Sequence, residues 1–192
     1  MKRRRVLLAS GSCLGVLLSG CVGGSETVTE TEDSESTVKT PSIDCDYADR
    51  PPSPPQDADP PGDVERYIYP DRPDSLSSES TVRTYVRLYE RAHRLNALRR
   101  EYESSLTYVT FRDRTTWVHE APERAAIGRV KYTYSYRHET DGEPIASDSV
   151  VIYASYYIDD SMVLRAVEEG DRMDDSELNP DPVETGQPVE CF

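Results

Sequence analysis

The stretch Val82-Arg83-Thr84-Tyr85-Val86-Arg87-Leu88-Tyr89-Glu90-Arg91-Ala92-His93-Arg94-Leu95, together with the change of period behind it, decides the fold. Val82, Tyr85, Val86, Tyr89, Ala92 and Leu95 recur at the spacing of one helix face, and Leu88, Leu98 and Tyr102 widen the stripe. Ser77 or Ser78 suits the N-cap, where a serine hydroxyl accepts from an amide that the helix leaves unpaired. Glu79 stands in the first turn, where the helix dipole favours a carboxylate. Pro70-Asp71-Arg72-Pro73-Asp74 punctuates the chain just before this point. The pattern predicts one long helix ending near Tyr102.

Beyond Tyr102 the apolar period shortens from helical to alternating. Leu106 to Val118 is rich in β-formers, including Tyr108, Val109, Phe111 and Trp117. Val130, Tyr132, Tyr134 and Tyr136 alternate with Arg129, Lys131, Thr133, Ser135 and Arg137, the clearest strand in the chain. Thr140-Asp141-Gly142-Glu143 reads as a loop with an Asp-Gly turn. Ser149 to Ile158 is a second strong strand, Asp159-Asp160-Ser161 turns it, and Met162 to Val167 returns. The expectation is an α+β domain: one long helix packed on an antiparallel sheet of about four strands, the helix being the available cover for the apolar face.

Outward from this core the chain changes character. Lys2 to Arg5 are basic, and Val6 to Leu18 is apolar but short of the roughly 20 residues that span a bilayer. Leu18-Ser19-Gly20-Cys21 reads as a lipobox, so residues 1–20 are expected to be a signal peptide and Cys21 the acylated N-terminus. Arg4 and Arg5 before the apolar run resemble a twin-arginine export signal, although an ordinary basic leader would look the same. Residues 21–44, largely Thr, Ser and Glu, cannot bury a core and read as a disordered tether. Residues 45–192 form the single expected domain, with a Pro-rich irregular lead (Pro51, Pro52, Pro54, Pro55, Pro60, Pro61) and an acidic tail from about 168. The expected location is the outer face of the cytoplasmic membrane, held there by lipid.

Charge and cysteines bound the partners. The formal charge is −14, and lysine occurs only at Lys2, Lys39 and Lys131. Losing the leader's basic residues would take the chain to about −18. Such a chain suits high salt, where carboxylate repulsion is screened, and it disfavours nucleic acid, whose phosphates demand positive charge. With Cys13 in the leader and Cys21 acylated, Cys45 and Cys191 remain and are expected to pair in an oxidising compartment.

The helix-then-meander order over Ser77 to Val167 is similar to the cystatin-like and nuclear-transport-factor-like folds, in which a curved sheet wraps one helix. Arg4-Arg5, the lipobox, the Thr/Glu stalk and the acidic, Lys-poor body together resemble secreted lipoproteins of halophilic archaea. That resemblance implies a location and brings no reaction.

Chemistry-bearing constellations are sparse. His93, His119 and His138 fall on separate elements, and Glu90-Arg91-Ala92-His93 is a single Glu-x-x-His on a single helix. No catalytic residue, metal ligand or cofactor is expected. Asp171, Asp174, Asp175 and Glu177 lack the spacing of a calcium loop and read as a solvated tail. Arg83, Arg87, Arg91 and Arg94 share a helix side and form a basic ridge on an acidic chain, either a solvated face paired with Glu79, Glu90 and their neighbours or a surface for a partner. The tyrosines Tyr132, Tyr134, Tyr136, Tyr153, Tyr156 and Tyr157 either line a pocket or pack under the helix and shield the other face. Two functional readings follow. One is a non-catalytic, membrane-tethered binding module for a protein or small ligand. The other is a small enzyme using a concave sheet with His119 or His138 and a carboxylate as acid–base pair.

Overall fold

A computed structural model describes residues 40, 41, 43, 45, 47–53, 67–170 and 177–192. Arg4, Arg5, Cys21, the tether apart from Thr40, Pro41 and Ile43, Pro54, Pro55, Pro60, Pro61, Asp171, Asp174 and Asp175 lie outside the described residues. The long helix α1 runs Glu79–Tyr102 and a 3₁₀ turn follows at Glu103–Ser105. Ser78 is the N-cap, its hydroxyl accepting from the Thr81 amide at 3.4 Å. Six strands follow: β1 Leu106–His119, β2 Ala126–Thr140, β3 Glu143–Asp148, β4 Ile152–Ile158, β5 Met162–Glu169 and β6 Gln187–Cys191. A short helix, α2, spans Pro182–Thr185 before β6. The fold is α+β, one long helix on an antiparallel sheet, with six strands where the pattern gave about four.

Two strands were hidden in the sequence. Thr140–Glu143 reads as a loop and residues 144–148 alternate only weakly; residues 143–148 form β3, joined to β2 through Asp141 and Gly142, both at positive φ. Those dihedrals belong to the two-residue turn that matches strand twist, so the Asp-Gly signal marked a hairpin. β3 and β4 both pair with β2, in line along one edge, the first with Ser135–Thr140 and the second with Ala126–Tyr132. At the junction Ser149 takes over the ladder: its amide donates to the Tyr134 carbonyl at 2.8 Å and its hydroxyl accepts from the Tyr134 amide at 2.8 Å. The second hidden strand is β6, inside the segment read as a solvated tail. It pairs with β5 next to Cys191, and the sheet order is β1-β2-β4-β5-β6.

The sheet is covered on both faces. Beneath α1, Val82, Tyr85, Val86, Tyr89 and Ala92 pack on Val130, Tyr132, Ala154, Tyr156, Ile158 and Val163. Leu98 joins the buried stripe as expected, whereas Leu88 is 40% exposed and does not. Gly128 permits the close approach: a Cβ there would lie 2.6 Å from a Val86 methyl. On the opposite face Ile127, Tyr157, Met162 and Leu164 pack against Ile43, Cys45, Leu178 and Val183. The helix is therefore one cover of two; the Cys45 lead and the C-terminal segment supply the other. All seven residues of β4 are buried, as double coverage requires of a central strand. Cys45 and Cys191 are disulfide-bonded, Cα–Cα 5.7 Å, tying the lead to the end of β6.

Candidate functional site

Under α1 lies a buried polar centre that the period gave no reason to expect. Glu90 was read as part of a solvated side, yet it is fully buried. Arg165 of β5 reaches it with two parallel hydrogen bonds, Nε to Oε2 and Nη2 to Oε1, each 2.7 Å. The hydroxyls of Tyr132 on β2 and Tyr156 on β4 donate to the same carboxylate, one to each oxygen. Arg94, one helical turn on, donates from Nε to the Tyr132 hydroxyl at 3.2 Å. Burial alone would raise the Glu90 carboxyl, but Arg165 above all overrides it and holds the pKa at about 2. Burial likewise opposes charge on Arg165, and the Glu90 carboxylate outweighs it, so that guanidinium sits well above its usual range. Burial, then the Glu90 charge, push both tyrosine hydroxyls up, keeping them protonated donors. Every acceptor position of the carboxylate is engaged inward, which suits a structural clamp between helix and sheet.

The same centre decides what the tyrosines do. Tyr132 and Tyr156 sit under the helix, while Tyr153 and Tyr157 are buried on the other face, against Arg129 and Lys131 or among Leu164 and Met162. Val130, Tyr132, Ala154 and Tyr156, in the middle of the helix-facing surface, are all fully buried. The middle of that face is filled with side chains.

The arginine ridge divides into two pairs. Arg83 bonds to Glu79 four residues back, and Arg87 Nη1 lies 3.3 Å from Asp113 of β1; both arginines are exposed. Arg91 turns toward the protein, donating to the Tyr67 hydroxyl at 2.6 Å with its guanidinium 4.6 Å from that ring. Arg94 also turns in, bonding Tyr132 and covering Tyr134 at 5.0 Å. Glu177, in the acidic tail, receives Arg129 on the opposite face through its backbone carbonyl. The ridge's partners among the described residues include Glu79, Asp113 and the hydroxyls of Tyr67 and Tyr132.

Arg83 and Arg87 border an open groove of about 380 Å³ between α1 and β1. Ser80, Arg83, Thr84 and Arg87 form one wall, Asp113, Arg114, Thr115 and Thr116 the other. Arg114, which sequence reasoning did not single out, is exposed and pairs with no carboxylate among the described residues. Its only sequence signal was a position where β1 loses strict alternation.

The histidines are dispersed. His119 pairs in register with Ile127 and His138 with Leu106, so they stand eleven residues apart along β2, on the order of 35 Å at about 3.3 Å per residue. His138 stacks on Tyr102 at 4.3 Å. Burial, helped by the Arg129 charge, lowers His119. His93 is lowered to about 3, chiefly by burial and then by Arg165, and its Glu-x-x-His partner Glu90 is held by Arg165. Among the described residues no three His, Cys, Asp or Glu side chains converge as a metal site would need, and no helix is long and apolar enough to cross a membrane. No family model matches this chain, and neither a curated protein nor a solved structure matches it.

Proposed function

We propose that this chain is a lipid-anchored extracytoplasmic binding module of a salt-adapted cell, tethered through Cys21, that offers the exposed half of its arginine ridge to an anionic partner. The observation that carries this reading is the α1–β1 groove: Arg83, Arg87 and Arg114 gathered on a chain of net charge −14. On so acidic a chain, three guanidiniums around one groove mark a place where a bound anion meets counter-charge in direct contact. The filled middle of the helix-facing surface favours recognition at the outside over chemistry inside the sheet. The separation of His119 from His138 leaves any acid–base pair to one of them with a carboxylate that neither contacts among the described residues.

Two measurements test this. Intact mass of the membrane-extracted protein should give a chain beginning at Cys21 plus lipid, and Cys21→Ser should release it; a wild type that starts elsewhere and is freely soluble refutes the anchor. Retention of the full chain on a polyanionic matrix, at the lowest ionic strength that keeps the fold intact, tests the binding face. The wild type should be held and an Arg83→Glu/Arg87→Glu variant released. Flow-through of both would refute the reading.

A further inference from the structure

The groove's make-up narrows what it can hold. Ser80, Arg83, Thr84 and Arg87 lie at i, i+3, i+4 and i+7, so all four share one side of α1. Across from them the pairing of β1 with β2 shifts register between Asp113 and Thr115, leaving Arg114 as the extra residue of a β-bulge. Regular alternation would send every second side chain of 113–116 to the far face of the sheet. The bulge interrupts it, and all four consecutive residues border the groove. Every lining residue is polar: three guanidiniums, four hydroxyls and one carboxylate. Glu79 and Asp113 hold Arg83 and Arg87 in place, while Arg114 keeps its whole fork available.

We propose that this groove binds a tetrahedral oxyanion, a phosphate or sulfate ester, carried on a small polar group. This rests on the binding-face reading above and adds the ligand's chemistry. Guanidinium forks match pairs of oxygens on such anions, and the hydroxyls of Ser80, Thr115 and Thr116 can donate to the oxygens the forks leave over, while the Thr84 hydroxyl already donates to the Ser80 carbonyl at 2.9 Å. A flat carboxylate has two oxygens and cannot occupy three guanidiniums and several hydroxyls together. The volume of about 380 Å³ is many times the roughly 30 Å³ share of one water, leaving space for the group the anion is attached to. A lining drawn only from polar residues favours a hydrophilic group. At molar salt the Debye length shrinks to about 3 Å, so only a ligand in direct contact with the arginines gains from them. Long-range charge would not serve there.

Calorimetric titration of the full chain with glycerol phosphate, a sulfated glucose and glutarate tests the chemistry, with phosphatidylglycerol vesicles as a separate arm. Both esters should bind, compete with inorganic phosphate, and exceed glutarate by about tenfold or more. Arg114→Ala should weaken ester binding by about ten- to hundredfold, the range for one charge-assisted contact, with the circular dichroism spectrum unchanged. Arg114→Lys should recover part, a point charge without the fork. Vesicle retention that Arg114→Ala abolishes would place the oxyanion on a lipid headgroup, and ester binding without vesicle retention would place it on a soluble molecule; either upholds the proposal. Glutarate binding as tightly as the esters, or Arg114→Ala binding like wild type, would overturn it. Should no ester or vesicle bind while the polyanionic matrix still retains the wild type through Arg83 and Arg87, the oxyanion chemistry falls and the binding face stands. If the matrix fails too, both fall.

Discussion

Arg165→Met is the sharpest perturbation available, because it removes the cation from a fully buried carboxylate and leaves a side chain of similar reach. Glu90 loses both of its 2.7 Å guanidinium bonds and keeps only the Tyr132 and Tyr156 hydroxyls. Breaking one side of a buried pair costs about 3–5 kcal/mol, since the remaining charge stays desolvated. Linkage gives the pH dependence of the same interaction. The Glu90 pKa falls from 4.5 to about 2 on folding. That depression corresponds to about 3 kcal/mol of stability at neutral pH. Because the folded value is the lower one, this contribution is complete above about pH 4.5 and disappears as pH falls toward 2. Denaturant melts of the wild type and of Arg165→Met should therefore differ by about 3–5 kcal/mol near neutrality, a large share of a typical 5–15 kcal/mol, and converge as the pH drops toward 2. Adding Glu90→Gln to Arg165→Met should recover part of the loss, because no unpaired charge then remains inside. Additive single and double variants, or a loss under about 1 kcal/mol for Arg165→Met, would refute the clamp.

Three further perturbations probe other parts of the structure. His93 is neutral in the folded state to about pH 3, so its contribution is full above its ordinary value of 6.5 and is lost as pH falls below it. His93→Gln should flatten the decline of stability between those values, and an unchanged pH profile would place the titration elsewhere. Gly128→Val would push a Cβ to within 2.6 Å of the stiff Val86 side chain and should lower stability by about 1–3 kcal/mol in thermal melts, partly restored by Val86→Ala; full stability would mean the helix is free to lift. Reducing the Cys45–Cys191 bond opens a loop with a sequence separation of 146 and should cost about 4–5 kcal/mol in denaturant titrations. Equal midpoints with and without reductant would show that the lead is held by packing alone.

The sequence by itself determined the local order: a serine cap at Ser77 or Ser78, the stripe from Val82 to Leu98, the alternating strand around Tyr132, the Asp141-Gly142 turn and the pairing of Cys45 with Cys191. These features are written in neighbouring residues, or, for Cys45 and Cys191, in a chain that carries only four cysteines. The tertiary structure alone decided the rest. Nothing in the helical period distinguishes Glu90 from the exposed Arg87; its burial follows from Arg165, seventy-five positions away, arriving on a strand beside it. β6 carries too few apolar residues to announce itself, and it is a strand because β5 offers it an open edge and the disulfide holds it there. The split of the arginine ridge depends on where Tyr67, Tyr132 and Asp113 come to rest around the helix. The groove depends on a one-residue slip in the ladder beside Arg114. Local propensity fixes the period of each element, whereas the depth of a charge and the partner it meets depend on contacts between residues far apart in the chain.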